Sequence, residues 1–226
     1  MPGSWCIRYI DVTFGRRRWR ATAEQVYFRG RRLPELDSIE LLEAQHRTLE
    51  DILRKVLDTS DEISTAALFA KAGDELTIHL SAEEVVFYPA VKARRTEDIL
   101  LESLEEHLSL KRLLADLLVL APSDRTFEPK FKVLKEQVEH HHKEEEEHLF
   151  PKVRTLLDAG EREVLGSQMV NHQERLRREG EPRASVVGDT GAAADIADIP
   201  GRLRRRVHSR SLLSQTKKRR SGETTV

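Results

Sequence analysis

The sequence predicts an all-α protein, an antiparallel up-down four-helix bundle with a short C-terminal helix and disordered tails. Apolar residues recur at intervals of three and four over four long segments, which is the period of a helix with one buried face. The predicted connections between these segments are short, which favours antiparallel neighbours. Charged residues make up 34% of the chain and aromatic residues 5%, a composition more typical of helical bundles than of β-sandwiches.

Charge divides the chain into three parts, although the net charge is only −1. Residues 1–33 carry 8 Lys and Arg against 2 Asp and Glu, and residues 174–226 carry 13 against 7, so the middle is strongly acidic. We predict one folded domain over 34–175, a disordered basic extension over 1–33 and a disordered basic tail over 176–226. Such tails permit contact with nucleic acid, although solvated tails are the plainer interpretation.

Composition argues against several classes of protein. Cys6 is the only cysteine, so the chain forms no internal disulfide and no metal site built from several thiolates. No apolar run approaches the roughly 20 residues that span a bilayer. Arg8 and Asp11 interrupt the N-terminal apolar segment that a secretion signal needs. We therefore expect a cytoplasmic protein without membrane contact.

The first helix is predicted to begin at Asp37, because Asp37 and Glu40 resemble a capping box. Its apolar face contains Ile39, Leu42, Leu49, Leu53 and Val56. His46 fills the gap between Leu42 and Leu49 in this pattern, so its side chain is expected to point into the core. A single histidine on an apolar face is usually a hydrogen-bonded core residue, and only further ligands make it a metal site.

One motif occurs twice, as IHLSAEEVVFYP from Ile78 and as VEHHHKEEEEHLFP from Val138. When the two prolines are aligned, His79 matches His141 and Glu83 matches Glu145. Residues four apart lie on one face of a helix, so each copy directs an imidazole and a carboxylate the same way. This pattern is typical of metal ligands.

The remaining helices follow from the same period. The two motif-bearing helices are predicted over about 64–88 and 127–157, and a third helix lies between them over about 96–120. On this third helix, His107 and Lys111 occupy the apolar register. A fifth helix over about 161–177 is expected to cap the bundle through Val164, Leu165 and Met169, with His172 on the surface.

The helical period also distinguishes among the neighbouring residues of the second motif. His141 continues the apolar stripe, whereas His140 and His142 fall about 100° to either side. Glu145 follows His141 by one turn, but Glu146 is close enough in angle to compete with it. The sequence leaves the choice between these two glutamates open.

Four histidines and two glutamates are therefore expected to converge on the bundle axis: His46, His79, Glu83, His107, His141 and Glu145. Buried carboxylates without partners cost several kcal/mol, so cations are expected between these groups. Six groups exceed the four ligands of one tetrahedral zinc and fit two ions bridged by the carboxylates. Imidazole and carboxylate together suit iron, manganese or zinc. The alternative, a bundle with ordinary core histidines, leaves both carboxylates uncompensated.

The sequence resembles the hemerythrin HHE cation-binding domain family over about residues 36–173. The resemblance is carried by DSIELLEAQH ending at His46, by EHLSLK around His107 and by the two HxxxE motifs. It implies a hemerythrin-like four-helix bundle that holds two non-haem iron ions. Carried over by position, the four histidines would be terminal ligands and the two glutamates bridging ligands.

One position departs from the oxygen-carrying members of this family, which have a fifth histidine where this chain has Lys111. The missing nitrogen argues against reversible oxygen carriage, and a lysine here is expected to act as a cation near a bound anion or peroxide. The resemblance implies a protein that binds or senses O2, NO or peroxide. The alternatives are a diiron enzyme with peroxidase-like or NO-reducing activity, using Lys111 or Glu146 as proton source, and a metal- or redox-sensing regulator that acts through its basic tails.

Overall fold

The computed structural model of the protein describes residues 10–14, 17–21, 27–28, 31–32, 36–93 and 96–194. Its helices are α1 (Ser38–Asp58), α2 (Glu62–Ala82), α3 (Tyr88–Val91), α4 (Glu97–Leu118), α5 (Phe127–Glu144), α6 (Phe150–Leu156) and α7 (Ala159–Glu179). A π-helical turn over Glu83–Phe87 joins α2 to α3, and a second over Glu145–Leu149 joins α5 to α6. Among these described helices, none is long and apolar enough to cross a bilayer.

Two short β-hairpins precede the helices. β1 (Ile10–Phe14) pairs antiparallel with β2 (Arg17–Ala21), and β3 (Tyr27–Phe28) pairs antiparallel with β4 (Arg31–Arg32). Both strand pairs lie in segment 1–33, for which the sequence predicts a disordered extension. Arginine occupies three of the five positions of β2, so no alternation of apolar and polar residues marks it as a strand.

Aspartate side chains cap the starts of α1, α2 and α7. Asp37 is the N-cap of α1, as predicted, and its carboxylate accepts the backbone N–H of Ile39 at 2.8 Å. Asp61 caps α2 in a similar way, and Asp158 forms a capping box with Glu161 at the start of α7. These side chains satisfy backbone donors that have no partner within the helix, which defines where each helix begins.

Helices α1, α2, α4 and α5 pack against one another. α1 packs against α2 and α5, and α4 packs against the same two helices. Buried apolar side chains form two clusters, one around Leu42, Phe87, Leu104 and Phe150 and the other around Leu53, Leu76, Leu114 and Phe131. On α1, His46 lies in sequence between Leu42 of the first cluster and Leu49 of the second. A layer of polar side chains is therefore flanked on both sides by apolar packing, which excludes water.

α7 packs against α1 and α2, and it buries Leu165 and Met169 as the sequence predicted, whereas Val164 stays 45% exposed. The contact with the segment entering α1 is close at Gly166. A Cβ atom at this position would lie 2.1 Å from the carbonyl oxygen of Leu36. Only a residue without a side chain permits this approach.

Residues 176–194 correct the predicted disordered tail. α7 continues to Glu179, and a 3₁₀ helix over Pro182–Gly188 packs on α2 and α4. Val186 is buried against the second apolar cluster, and the guanidinium of Arg183 lies 2.6 Å from the carboxylate of Asp74. One buried valine gives no periodic pattern, so the sequence did not reveal this segment. The predicted tail beyond residue 194 lies outside the described residues.

Candidate metal centre

The six predicted ligands all lie in the polar layer, and none is more than 3% exposed: His46, His79, Glu83, His107, His141 and Glu145. They come from α1, from the end of α2, from α4, from the end of α5 and from the two π-helical turns. The helical periodicity of the sequence therefore identified residues that the structure does bring together. Side chains from separate segments of the chain meet here because α1, α2, α4 and α5 pack against one another.

Each copy of the repeated motif places its glutamate at the first residue of a π-helical turn. The wider turn adds one residue, so Tyr88, five positions after Glu83, returns to the interior and is fully buried. Proline follows at Pro89 and at Pro151, where its missing N–H and its ring disfavour regular α-helical bonding to the preceding turn. These two prolines were the available sequence signal for the π-helical turns, although the sequence analysis did not predict them.

Glu83 lies between two imidazoles. Its Oε2 atom is 3.4 Å from Nε2 of His79 and 3.4 Å from Nε2 of His107. Among the described residues, neither carboxylate oxygen has a hydrogen-bond partner, although the side chain is fully buried. Burial, together with the nearby charge of Glu145, raises the pKa of Glu83 well above its usual value. This carboxylate is thus an uncompensated acceptor between two imidazole nitrogens.

Glu145 occupies the matching place in the second motif. Its Oε2 atom lies 3.4 Å from Nε2 of His46 and 3.9 Å from Nε2 of His141, and it has no hydrogen-bond partner. Burial raises the pKa of Glu145, but the charges of His141 and His46 outweigh burial, and the net shift is downward. Its other oxygen accepts the hydroxyl proton of Tyr88 at 2.9 Å.

Side chains on the outer side of the polar layer, here called outer partners, orient the histidines of α1 and α2 through their Nδ1 atoms. Nδ1 of His46 lies 2.9 Å from the carboxylate of Glu146, and Nδ1 of His79 lies 3.3 Å from the amide oxygen of Gln45. An acceptor at Nδ1 holds the proton there and leaves Nε2 as a free lone pair that points inward. Glu146 is 38% exposed, whereas Glu145 is fully buried, so only Glu145 faces the polar layer.

The histidines of α4 and α5 have the same orientation. Nδ1 of His107 lies 3.0 Å from Glu84, and Nδ1 of His141 lies 2.8 Å from Glu106. Their Nε2 atoms face each other at 3.0 Å. If carboxylates hold the Nδ1 protons, two lone pairs point at one another, and a positive ion between them removes the repulsion.

The potential ligand atoms fall into groups within which all atoms lie within 4.8 Å of one another. One group contains His46, His79, Glu83 and Glu145, and another contains Glu83, His107 and His141. Glu83 belongs to both, which is the arrangement expected of two neighbouring cation sites with a shared carboxylate. A cation in each group would compensate the unpaired oxygens and nitrogens, so the residues present fit a bound metal.

Tyr88 is a member of this site that the sequence analysis missed. Its hydroxyl group lies 2.9 Å from Glu145 and 3.1 Å from Nε2 of His107. Burial raises the pKa of Tyr88 well above its usual value, and the nearby carboxylates act in the same direction. The hydroxyl therefore stays protonated and can donate. Tyr88 stands before the proline in the motif FYP. A regular α-helix would turn its side chain away from the direction of Glu83, whereas the π-helical turn brings it back to the interior.

Lys111 does not have the role that the sequence suggested. Its ammonium group lies 2.8 Å from Glu84 and 2.5 Å from Asp189, so two carboxylates already neutralise it. Glu84 in turn accepts from His107, which makes Lys111 a support for the ligand orientation. Burial lowers the pKa of Lys111, but Glu84 and Asp189 outweigh burial and raise it overall. Direct contact of the lysine with a bound anion or peroxide is therefore not what this geometry provides.

The two histidines beside His141 have different environments. His140 is an exposed side chain near Glu106, as its angle on the helix predicted. His142 is only 2% exposed, and its Nε2 atom has no hydrogen-bond partner. Sequence reasoning missed His142, which lies about 100° from the centre of the apolar stripe of α5. This side of α5 lies beside α1, and its side chains are therefore also covered. His46, His79 and His142 also form a group whose ligand atoms lie within 4.8 Å of one another.

Comparison with known families agrees with this geometry. The model of the family described as "Hemerythrin HHE cation binding domain" matches residues 37–153. The chain belongs to the hemerythrin HHE cation-binding domain family. Both HxxxE motifs of this HHE domain lie inside the matched range, as do α1 and α4, which supply the other two histidines.

Two further proteins are similar to this HHE chain. A crystal structure of an HHE cation-binding domain-containing protein from Mycobacterium kansasii superposes with a TM-score of 0.59 and 26% sequence identity, over 68% of this chain and 98% of that one. A protein of Nostoc sp., named a DNA nickase, is 24% identical over 62% of this chain. This chain spans 40% of the length of the Nostoc protein.

Proposed function

We propose that the protein binds two metal ions in the interior of an antiparallel up-down four-helix bundle, and that these ions bind a small molecule such as O2, NO or peroxide. The observation that carries this proposal is the set of buried, inward-facing atoms without partners, above all both carboxylate oxygens of Glu83. Leaving a carboxylate in this state costs several kcal/mol, and cations remove that cost.

The proposed ligands are the six residues of the polar layer. His46 and His79 would hold one ion, His107 and His141 would hold the other, and Glu83 and Glu145 would bridge them. Non-haem iron is the metal that we propose, because nitrogen and carboxylate ligands suit it and the family binds cations, although manganese and zinc share this ligand preference. Bound iron would supply redox chemistry and open positions for an exogenous ligand.

Tyr88 favours a small ligand near the ion of His107 and His141. Its buried hydroxyl group lies 3.1 Å from Nε2 of His107 and donates its one proton to Glu145. If this proton were redirected to a bound diatomic molecule or peroxide, it would stabilise negative charge there. The same donor would also serve an enzyme that consumes peroxide or reduces NO, which is the alternative to a binding or sensing protein.

Metal analysis of the purified full chain tests the proposal. After expression in iron-replete medium, we expect about two iron ions per chain by mass spectrometry, and a visible absorption spectrum that changes when oxygen, NO or peroxide is added. A colourless protein without bound iron, manganese or zinc would refute it. Steady-state consumption of peroxide, measured on the same sample, separates an enzyme from a protein that only binds its ligand.

Action on DNA is a second candidate, favoured by the similarity to the Nostoc DNA nickase and by the basic segment 201–226. Binding through this segment would be electrostatic, and affinity for duplex DNA is then expected to fall steeply as salt concentration rises. We expect a chain truncated after residue 200 to lose this binding. A truncated chain that binds DNA as tightly as the full chain would exclude the proposed role of the segment.

A further inference from the structure

Among the described residues, His142 is the one buried histidine near the centre that the proposed ligand set does not use. Its Nδ1 atom lies 2.9 Å from a carboxylate oxygen of Glu50, and its ring stacks on that of His46 with centroids 3.9 Å apart and an interplanar angle of 5°. The ring of His79 meets it edge-on, with centroids 5.4 Å apart. A hydrogen bond and two rings hold the imidazole in place. Because the rings of His46 and His142 are parallel, their in-plane lone pairs run side by side, so the His142 ring must turn about its Cβ–Cγ bond for both Nε2 atoms to reach one ion.

This orientation is the one shared by the four proposed histidine ligands. In each of them, Nδ1 meets an acceptor on another residue, and Nε2 points into the polar layer. His142 repeats the pattern, with Glu50 as the outer acceptor and an Nε2 atom that is buried and unpaired. An ordinary core histidine satisfies both ring nitrogens, because a buried nitrogen without a partner loses its hydrogen bonds to water and gains none in return. Packing alone does not explain why Nε2 lacks a partner.

We propose that Nε2 of His142 binds the same metal ion as His46 and His79. The three ligand atoms lie within 4.8 Å of one another, and all three side chains are buried. The inference rests on the proposed dinuclear site and adds a seventh ligand to it. The ion held by α1 and α2 then has three nitrogen ligands, whereas the ion held by His107 and His141 has two.

This difference in nitrogen ligands indicates where an exogenous molecule binds. The second ion keeps more open positions, and it is the one beside the Tyr88 hydroxyl group. A small ligand such as azide or peroxide is therefore expected at the ion of His107 and His141.

Proton NMR of the Co²⁺-substituted full chain counts the coordinated histidines. A histidine bound through Nε2 keeps its Nδ1 proton, and paramagnetic Co²⁺ shifts that resonance far outside the usual range. We expect five shifted resonances that exchange with solvent in the native sequence, one each from His46, His79, His107, His141 and His142. His142→Gln is expected to show four, and the matched control His140→Gln, which changes an exposed neighbour, is expected to show five.

The outcomes separate this inference from the proposed function. Four shifted resonances in the native chain that His142→Gln leaves unchanged would overturn the role of His142 and leave the dinuclear site intact. No shifted resonance at all would refute the dinuclear site itself. If His142→Gln does not fold, Glu50→Ala serves instead, because loss of the Nδ1 acceptor should shift or broaden one of the five resonances. Five unchanged resonances in Glu50→Ala would contradict the proposal.

Discussion

Glu83→Gln is expected to reduce bound metal from two ions per chain to less than one. Glu83 belongs to both groups of potential ligands, and its carboxylate lies 3.4 Å from a histidine of each group. Glutamine keeps the size of the side chain but removes its charge, so both ions lose a shared anionic ligand. Replacement of an outer partner alone typically costs 10–100-fold in metal affinity, and loss of a bridging ligand is expected to cost at least about 100-fold.

Mass spectrometry of the purified chains gives the metal content, and Glu147→Gln is the matched control. Glu147 lies in the same π-helical turn as Glu145 but is exposed, so the control is expected to keep both ions. Equal metal content in Glu83→Gln and in the native chain would show that the carboxylate does not bind metal. Loss of metal in both variants would point to a general effect of removing negative charge.

The same substitution is expected to stabilise the metal-free protein at pH 8. Without metal at pH 8, the folded chain carries either a buried Glu83 carboxylate without a partner or a proton that the unfolded chain has released, and neutral glutamine removes either cost. We expect the free energy of unfolding to rise by about 1–4 kcal/mol, the range found when buried ion pairs are replaced by well-packed hydrophobic residues. Glu83→Gln is thus expected to lower the metal affinity and to raise the free energy of unfolding of the metal-free protein. These two opposite effects are expected together of a carboxylate that binds metal.

The pH dependence follows from the raised pKa of Glu83. Because burial and the charge of Glu145 raise this pKa well above its usual value, the folded carboxyl group keeps its proton to higher pH than the unfolded one, which titrates near 4.5. The contribution of this carboxyl group to the stability of the native chain is therefore fully present below about pH 4.5 and is lost as pH rises through the folded pKa. The gain from Glu83→Gln should accordingly be larger at pH 8 than at pH 5.

Urea unfolding in the presence of a chelator measures this difference at both pH values. The pKa of His79 and that of His142 are lowered by burial, so these groups favour the folded state above pH 6.5 and oppose it as pH falls. Both variants contain them, and their contribution largely cancels in the comparison. A stabilisation that is equal at pH 5 and pH 8, or a destabilisation at pH 8, would contradict the assignment of Glu83 as an uncompensated buried acid.

Local periodicity accounts for most of what could be predicted. Apolar residues at intervals of three and four gave the long helices, and Asp37 gave the start of α1. His46, His79, His107 and His141 were identified because each continues an apolar stripe, and a side chain in such a stripe must be buried wherever the helix packs. This reasoning needs no knowledge of the neighbouring helices.

The choice between Glu145 and Glu146 shows where local reasoning ends. The two side chains differ by about 100° on the helix, and the sequence contains two acids where one ligand is needed. In the structure, the π-helical turn begins at Glu145 and directs it inward, and Glu146 instead contacts His46 of α1 from outside. Only the position of α1 decides that Glu146 becomes an outer partner.

By itself, the sequence determined the helices, the paired HxxxE motifs and the need for cations, because helical period and the cost of buried charge are properties of each segment. The tertiary structure alone decided the inward turn of Tyr88, the burial of His142 beside His46 and the anchoring of Lys111 by Asp189. Each of these three features depends on which side chain of a distant segment lies next to the residue. The angle of a residue about its own helix axis does not identify that neighbour.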